Sequence, residues 1–253
     1  MIPANEKLMK ITGTRLKFQR NYEPKLRNLV ETRTRQLEFS ESERNAALKS
    51  IDALMWKLTA AGIHLERLWE YQESEAMKSL LENAGKYNFE PKRFTDREIA
   101  YLAAEFEAYL VQARAFISVA QINTLDACRV EFGGRLTNAK YEKAVKNAQP
   151  EVSVRLGRAY EYFTNEVFGN GKWGTLLKSL RDRVVHFDRI RPSISDNAES
   201  EQLCVAGLTI ERLAQDFENG HYDLLVEVIA PIWERKWIAG ANISGMWDQQ
   251  IAT

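Results

Sequence analysis

Cysteine is nearly absent: Cys128 and Cys204 are the only two in 253 residues, far apart and without a CxxC partner. A disulfide framework or a structural zinc site needs denser cysteine, so neither is expected, and reduced thiols in a cytoplasmic setting fit this usage. Net charge is absent too, since Lys plus Arg equals Asp plus Glu at 35 each. No global field recruits a polyanion, and any nucleic-acid site has to come from local clustering. No apolar run approaches the roughly 18 residues of a membrane span, and the opening Met1-Ile2-Pro3-Ala4-Asn5-Glu6-Lys7 lacks the apolar centre of a signal peptide. A soluble intracellular chain with no membrane contact is the expectation.

What is present is apolar material for a core, 45% of the residues, and locally segregated charge. Residues 1–35 carry nine Lys or Arg against Glu6, Glu23 and Glu31, whereas residues 196–234 carry nine acids against Arg212 alone. Two outcomes are open: the two ends neutralise each other in the fold or across a dimer, or the basic arm touches RNA; a separate reading is a plain interaction scaffold whose acidic 196–234 segment docks a basic partner.

The apolar residues recur with helical period. Ser40-Glu41-Ser42-Glu43 is a capping box ahead of Ile51, Leu54, Met55, Leu58, Leu65, Leu68 and Trp69, a helix running to about Tyr71. Thr95-Asp96-Arg97-Glu98 is a second, ahead of Ile99, Leu102, Phe106, Tyr109, Ala113, Phe116 and Ala120, whose alternating steps of three and four predict a long seam over 96–130. Gly133 and Gly134 suit its end. Shorter helices are expected near 136–148, 151–167 and 174–189, then loop composition over 193–201, then helix from about 208 to 238 with a break at Asn219-Gly220. With no strand series and no repeat, the expected architecture is an all-α antiparallel bundle in one domain over 1–253, residues 1–90 forming an N-terminal helical extension.

Several motifs weaken on inspection. Gly169-Asn170-Gly171-Lys172-Trp173-Gly174 spells GxGxxG, but helical sequence precedes it where a dinucleotide fold needs a strand, so an interhelical turn is expected. Its remaining functional reading is a phosphate held by amides opening the next helix, beside Lys172. Glu218-x-x-His221 has a metal-site spacing without the matching second pair, so no metal ligand set or cofactor is expected. His64, between Ile63 and Leu65, reads as a satisfied, partly buried histidine, and Trp233 and Trp237 read as packing anchors.

Arg181-Asp182-Arg183-Val184-Val185-His186 survives the same scrutiny. Leu176, Leu177, Leu180, Val184 and Phe187 share one helical face, which leaves Asp182 and His186 on the polar side at i, i+4. An Asp182 contact would hold the imidazole and favour its protonated form. Arg181 lies about 140° around an ideal helix from His186, so convergence needs a loosened helix end, a wrapping guanidinium arm or a second subunit. Lys172, Lys178, Arg181, Arg183, Arg189 and Arg191 against Asp182 and Asp188 make the stretch locally basic, as a phosphate backbone requires. An ordinary charge cluster at a helix end has the same spacing.

The string Arg, polar residue, three residues, His on a late helix of an all-α chain, after a long amphipathic helix at 96–130, resembles the HEPN superfamily over about residues 95–240. Many members are metal-independent endoribonucleases. The resemblance implies an HEPN-type bundle in which Arg181 and His186 match the catalytic pair and Asp182 the polar position. It also implies a homodimer that faces two such helices across one cleft, and a setting as a toxin or phage-defence effector with a possible antitoxin partner. Relatives without catalysis imply an alternative, a silent module binding a nucleotide or a protein. Glu105, Arg114, Gln121 and Asn123 on the 96–130 helix are each candidates to join the site.

Overall fold

The computed structural model describes residues 22–84, 94–131, 136–186, 192–195 and 202–235. The fold is all-α, with a small three-stranded sheet near its C-terminal end. Helix α1 covers residues 22–36. It is followed by α2 (Glu41–Gln72), α3 (Glu75–Ala84), α4 (Asp96–Ala127), α5 (Asn138–Lys146), α6 (Pro150–Tyr162) and α7 (Trp173–His186). Among the described residues, no helix is long and apolar enough to cross a membrane.

Both capping boxes form. Ser40 and Thr95 each accept from the amide of the glutamate three residues on, Glu43 and Glu98, and each glutamate returns a hydrogen bond to the cap amide. Glu43 also takes Nε and Nη2 of Arg129 at 2.8 and 3.2 Å, which joins the start of α2 to the residues just past α4. The Arg129 and Ser40 hydrogen bonds hold its carboxyl down to about 2.

The two long helices lie antiparallel, as their cross-links require. Lys57 donates to Gln112 at 2.9 Å, His64 pairs with Glu105 at 2.7 Å and Tyr71 donates to Glu98 at 2.7 Å. Each rung sits seven residues from the last on both helices, so both present the same edge to one another at every rung. Deeper in the seam Asn123 donates to Ser50 Oγ at 2.8 Å and accepts from Trp233 Nε1 at 2.9 Å, and all three residues are buried. One amide thereby ties α2 and α4 to the C-terminal helix.

That last run, residues 210–234, consists of α8 (Ile210–Leu213), α9 (Asn219–Leu224) and α10 (Ala230–Glu234) joined by π turns at Ala214–Glu218 and Leu225–Ile229. The wide turns have a cause in the sequence. Leu213, Phe217, His221, Leu225, Ile229 and Trp233 are all buried and recur every four residues. On an ideal helix that spacing drifts by about 40° per step, which would carry Trp233 to the far side from Leu213. Two turns of wider pitch absorb the drift and keep the stripe against the core. Asn219-Gly220 does not break this helix, contrary to the sequence expectation. Gly220 is buried, and a Cβ there would sit 2.4 Å from the Trp173 ring, so glycine serves close packing at this point.

The sheet is the second departure. β1 (Pro192–Ser195), β2 (Gln202–Val205) and β3 (Leu208–Thr209) pair antiparallel in that order, with Ile194 opposite Leu203 and Val205 opposite Leu208. Leu203 and Val205 are fully buried, a tertiary contact that outweighs the turn-rich composition next to them. Ala206 and Gly207, at φ +54° and +79°, close the β2–β3 hairpin in the paired left-handed conformation that favours Asn-Gly.

α1 packs along the acidic C-terminal run. Tyr22 Oη donates to the Leu225 carbonyl at 3.2 Å, and Arg33 reaches the Glu234 carbonyl at 3.4 Å, at the negative end of α10. One hydrophobic cluster takes side chains from α1 through α10.

Replacing Ala206 with Asn should raise the stability by about 0.5–1 kcal/mol, because asparagine tolerates positive φ better than alanine; a urea melt that shows no gain would contradict this account of the turn. Asn123→Ala leaves Ser50 Oγ and Trp233 Nε1 without that partner in the core and should cost about 2–4 kcal/mol, read from the same denaturation midpoint.

Candidate functional site

The approach to α7 is built by close packing. A Cβ on Gly169 would lie 2.3 Å from the Asn165 carbonyl oxygen, one on Gly174 would lie 2.6 Å from that of Val167, and Gly171 holds φ at +72°. The glycine string is an interhelical turn following α6 and its π extension Phe163–Val167, as its helical context implies. Thr175 Oγ1 donates to the Phe168 carbonyl at 2.8 Å and seals the turn against the first residues of α7.

The start of α7 is pinned by His221. The imidazole is fully buried between Phe116, edge-on at 4.6 Å, and Trp173, edge-on at 5.0 Å. Its Nε2 donates to the Ala113 carbonyl at 3.3 Å, while Nδ1 has no hydrogen-bond partner among the described residues. Burial pushes its pKa down to about 4, so the ring is neutral at pH 7. The sequence shows only a weak metal-type spacing at this residue, and its work is to hold α4, α7 and α9 together.

Farther along α7, Leu177 and Leu180 are buried, Leu176 and Val184 half-buried, and Lys178 and Arg183 exposed. The amphipathic face expected from the sequence is the packed one. Arg181 Nη1 donates to Asp182 Oδ1 at 2.9 Å, with both side chains about one-third to one-half exposed (32% and 44%). His186 is the last residue of α7, placed there by its backbone. Its side chain, like Phe187, Asp188, Arg189 and Arg191, lies outside the described residues.

Of the four polar candidates on α4, Glu105 and Asn123 have side chains committed elsewhere. Glu105 binds His64 and also accepts from Arg67 at 3.2 Å. Asn123 serves Ser50 and Trp233, and the backbone carbonyl of buried Gln121 accepts from Thr124. Arg114 is the one coupled electrostatically to α7. Its guanidinium lies 5.2 Å from the centroid of the Phe168 ring, and its Nη1 donates to Ser118 at 3.2 Å. Burial first, and then the neighbouring Arg181, lower its pKa, with Asp182 opposing them. The remaining predicted contact, Lys172, donates to Glu166 at 2.7 Å on the surface. It stands about 14 Å along the helix axis from Arg181, so the two would meet different groups of any ligand.

The site is therefore the half-buried Arg181–Asp182 pair, a turn to a turn and a half before the histidine that ends α7, with Arg114 of α4 electrostatically coupled to it. A half-buried guanidinium can hold an anion in a region of reduced dielectric, where charge-assisted hydrogen bonds are strong. Comparison of the chain with protein-family models, with curated proteins and with solved structures finds no match.

Because the His221 pKa is lower in the fold than its ordinary 6.5, the unfolded chain takes up the proton first as the pH drops. The stability this neutral ring contributes is present above pH 6.5 and is lost on acidification toward pH 4, by up to about 3 kcal/mol. Urea midpoints from pH 7 to 4 should fall more steeply in wild type than in His221→Leu. Parallel profiles would show that His221 does not carry this pH dependence.

Proposed function

We propose that the protein is an endoribonuclease of the HEPN type, cleaving RNA through Arg181 and His186 of α7. The observation that carries the reading is the state of Arg181. It is held half-buried by Asp182 at the polar side of α7, five residues before His186. A guanidinium so placed can give two hydrogen bonds to one phosphate and meet the charge that builds on its oxygens in the transition state.

In the reaction the ribose 2′-oxygen attacks the adjacent phosphorus, the bond to the 5′-oxygen breaks, and the products are a 2′,3′-cyclic phosphate and a 5′-hydroxyl. His186 takes the 2′-OH proton or gives one to the departing 5′-oxygen, and solvent completes the other transfer. Asp182 steadies Arg181 through its hydrogen bond. A two-fold dimer that faces α7 with its copy would double the cationic lining of the groove, and the HEPN resemblance is also what suggests a toxin or defence setting.

The test is incubation of wild type and His186→Ala with mixed RNA in excess EDTA, followed by chemical identification of the new 3′ ends. Cyclic phosphate from wild type, reduced about 100-fold or more by the substitution, is the expected outcome. Equal activity from both proteins would remove His186 from the mechanism. RNA or nucleotide binding without cleavage would make the protein a silent module of the same fold.

A further inference from the structure

Between residues 49 and 70 of α2 the exposed positions are Lys49, Asp52, Trp56, Ile63, Arg67 and Glu70. On an ideal helix all six fall within an arc of about 60°, on the side opposite the buried line of Leu54, Leu58 and Leu65. They form one ridge along the outer side of the bundle. At its middle stand the two apolar members, Trp56 at 64% exposed and Ile63 at 37%. A lone exposed hydrophobe is ordinary on a protein surface. Two of them at the centre of one ridge, with charges only toward its ends, have the arrangement of an apolar interface core inside a polar rim.

The order of chemistry along the ridge says what covers it. The steps between successive members are three, four, seven, four and three residues, the same in either direction about the midpoint between Thr59 and Ala60. Laid antiparallel on a copy of itself in that register, the ridge sets Trp56 opposite Ile63, Asp52 opposite Arg67 and Lys49 opposite Glu70, each pair occurring twice. Every apolar member meets an apolar one and every charge meets its opposite. A parallel pairing would set Lys49 on Lys49 and Asp52 on Asp52, which repels. At the centre Thr59 and Ala60 are small enough to let two helices approach. The Thr59 hydroxyl already donates to the Met55 carbonyl at 3.0 Å, so it enters an interface with its donor satisfied.

The inner charges of the ridge are held in place before any partner arrives. Asp52 is paired with Arg27 of α1, and Arg67 with Glu105 of α4 at 3.2 Å. With the copy in place these join into an alternating row of Arg27, Asp52, the partner's Arg67 and the partner's Glu105, and a network holds better than isolated surface pairs.

We propose that α2 is a self-association surface, along which two copies of the chain pair antiparallel about a two-fold axis level with Thr59 and Ala60. The contact lies on a different helix from Arg181 and His186 and stands or falls independently of the ribonuclease reading.

Sedimentation velocity of the full-length chain over about 1–200 μM, a range suited to an interface of one helix face, tests this. Wild type should pass from monomer to dimer with rising concentration, and Trp56→Glu should weaken the dimer at least ten-fold, on the order of a central anchor residue. Lys49→Glu puts a carboxylate opposite Glu70 at both ends and should weaken it about five-fold. Adding Glu70→Lys to that variant should restore the dimer, because the antiparallel register again brings opposite charges together. Both positions are exposed, so this pair of variants decides the matter if circular dichroism shows that Trp56→Glu has lost its helix. A wild type that stays monomeric throughout the range overturns the proposal, as does a double reversal no tighter than Lys49→Glu alone. A dimer that survives Trp56→Glu unchanged also overturns it and moves the contact to another face of the chain.

Discussion

The antiparallel pairing of α2 with α4 is the constraint on which the other elements depend. Its rungs at Lys57–Gln112, His64–Glu105 and Tyr71–Glu98 recur at one spacing on both helices, so a slip of one residue would break all of them together. Asn123, a turn off that ladder, adds a buried tie between the same two helices and hands it on to Trp233 of α10. A buried amide that satisfies one group on each of two neighbours fixes their relative height in a way that an apolar seam alone does not, since leucine and alanine tolerate small slides.

Once α4 is placed, α7 has little freedom. Ala113 lends a carbonyl and Phe116 a ring to His221, His221 and Gly220 receive Trp173, and Trp173 begins α7. The apolar face of α7 through Leu177 and Leu180 then sets which side Arg181 and Asp182 occupy. Arg114 follows Ala113 by one residue and lies over the Phe168 ring just ahead of α7, where Arg181 and Asp182 act on its charge. Scaffold and candidate site thus share residues, and substitutions at Gly220 or Trp173 should be felt at Arg181 through packing rather than through charge.

Some of this was legible in the chain. The two capping boxes, the steps of three and four after Thr95, and the apolar face of α7 follow from local chemistry, because a helix N-terminus and an amphipathic stripe are decided by residues within a few positions of one another. The four-residue recurrence from Leu213 to Trp233 was equally visible, but its meaning was not. A repeat of four suits neither an ideal helix nor a strand, and only the core it must face decides that π turns absorb the difference. Gly220 misleads for a related reason: glycine marks both turns and close approaches, and the Trp173 ring that distinguishes them is 47 residues away in sequence.

By itself the sequence determined the all-α class, the boundaries of the long helices to within a few residues, and the placing of Arg181, Asp182 and His186 together late on one helix, since each depends on local spacing. Tertiary structure alone decided that β1, β2 and β3 form beside a helical core, that His221 is a buried neutral anchor, and that Glu105 and Asn123 serve partners outside α7 while Arg114 is coupled to it. All four α4 side chains are polar, and helical periodicity specifies only their angle about α4. Which neighbour lies at that angle is settled by the packing of helices far apart in the chain, whose hydrogen bonds and buried surfaces exist only when the whole bundle closes.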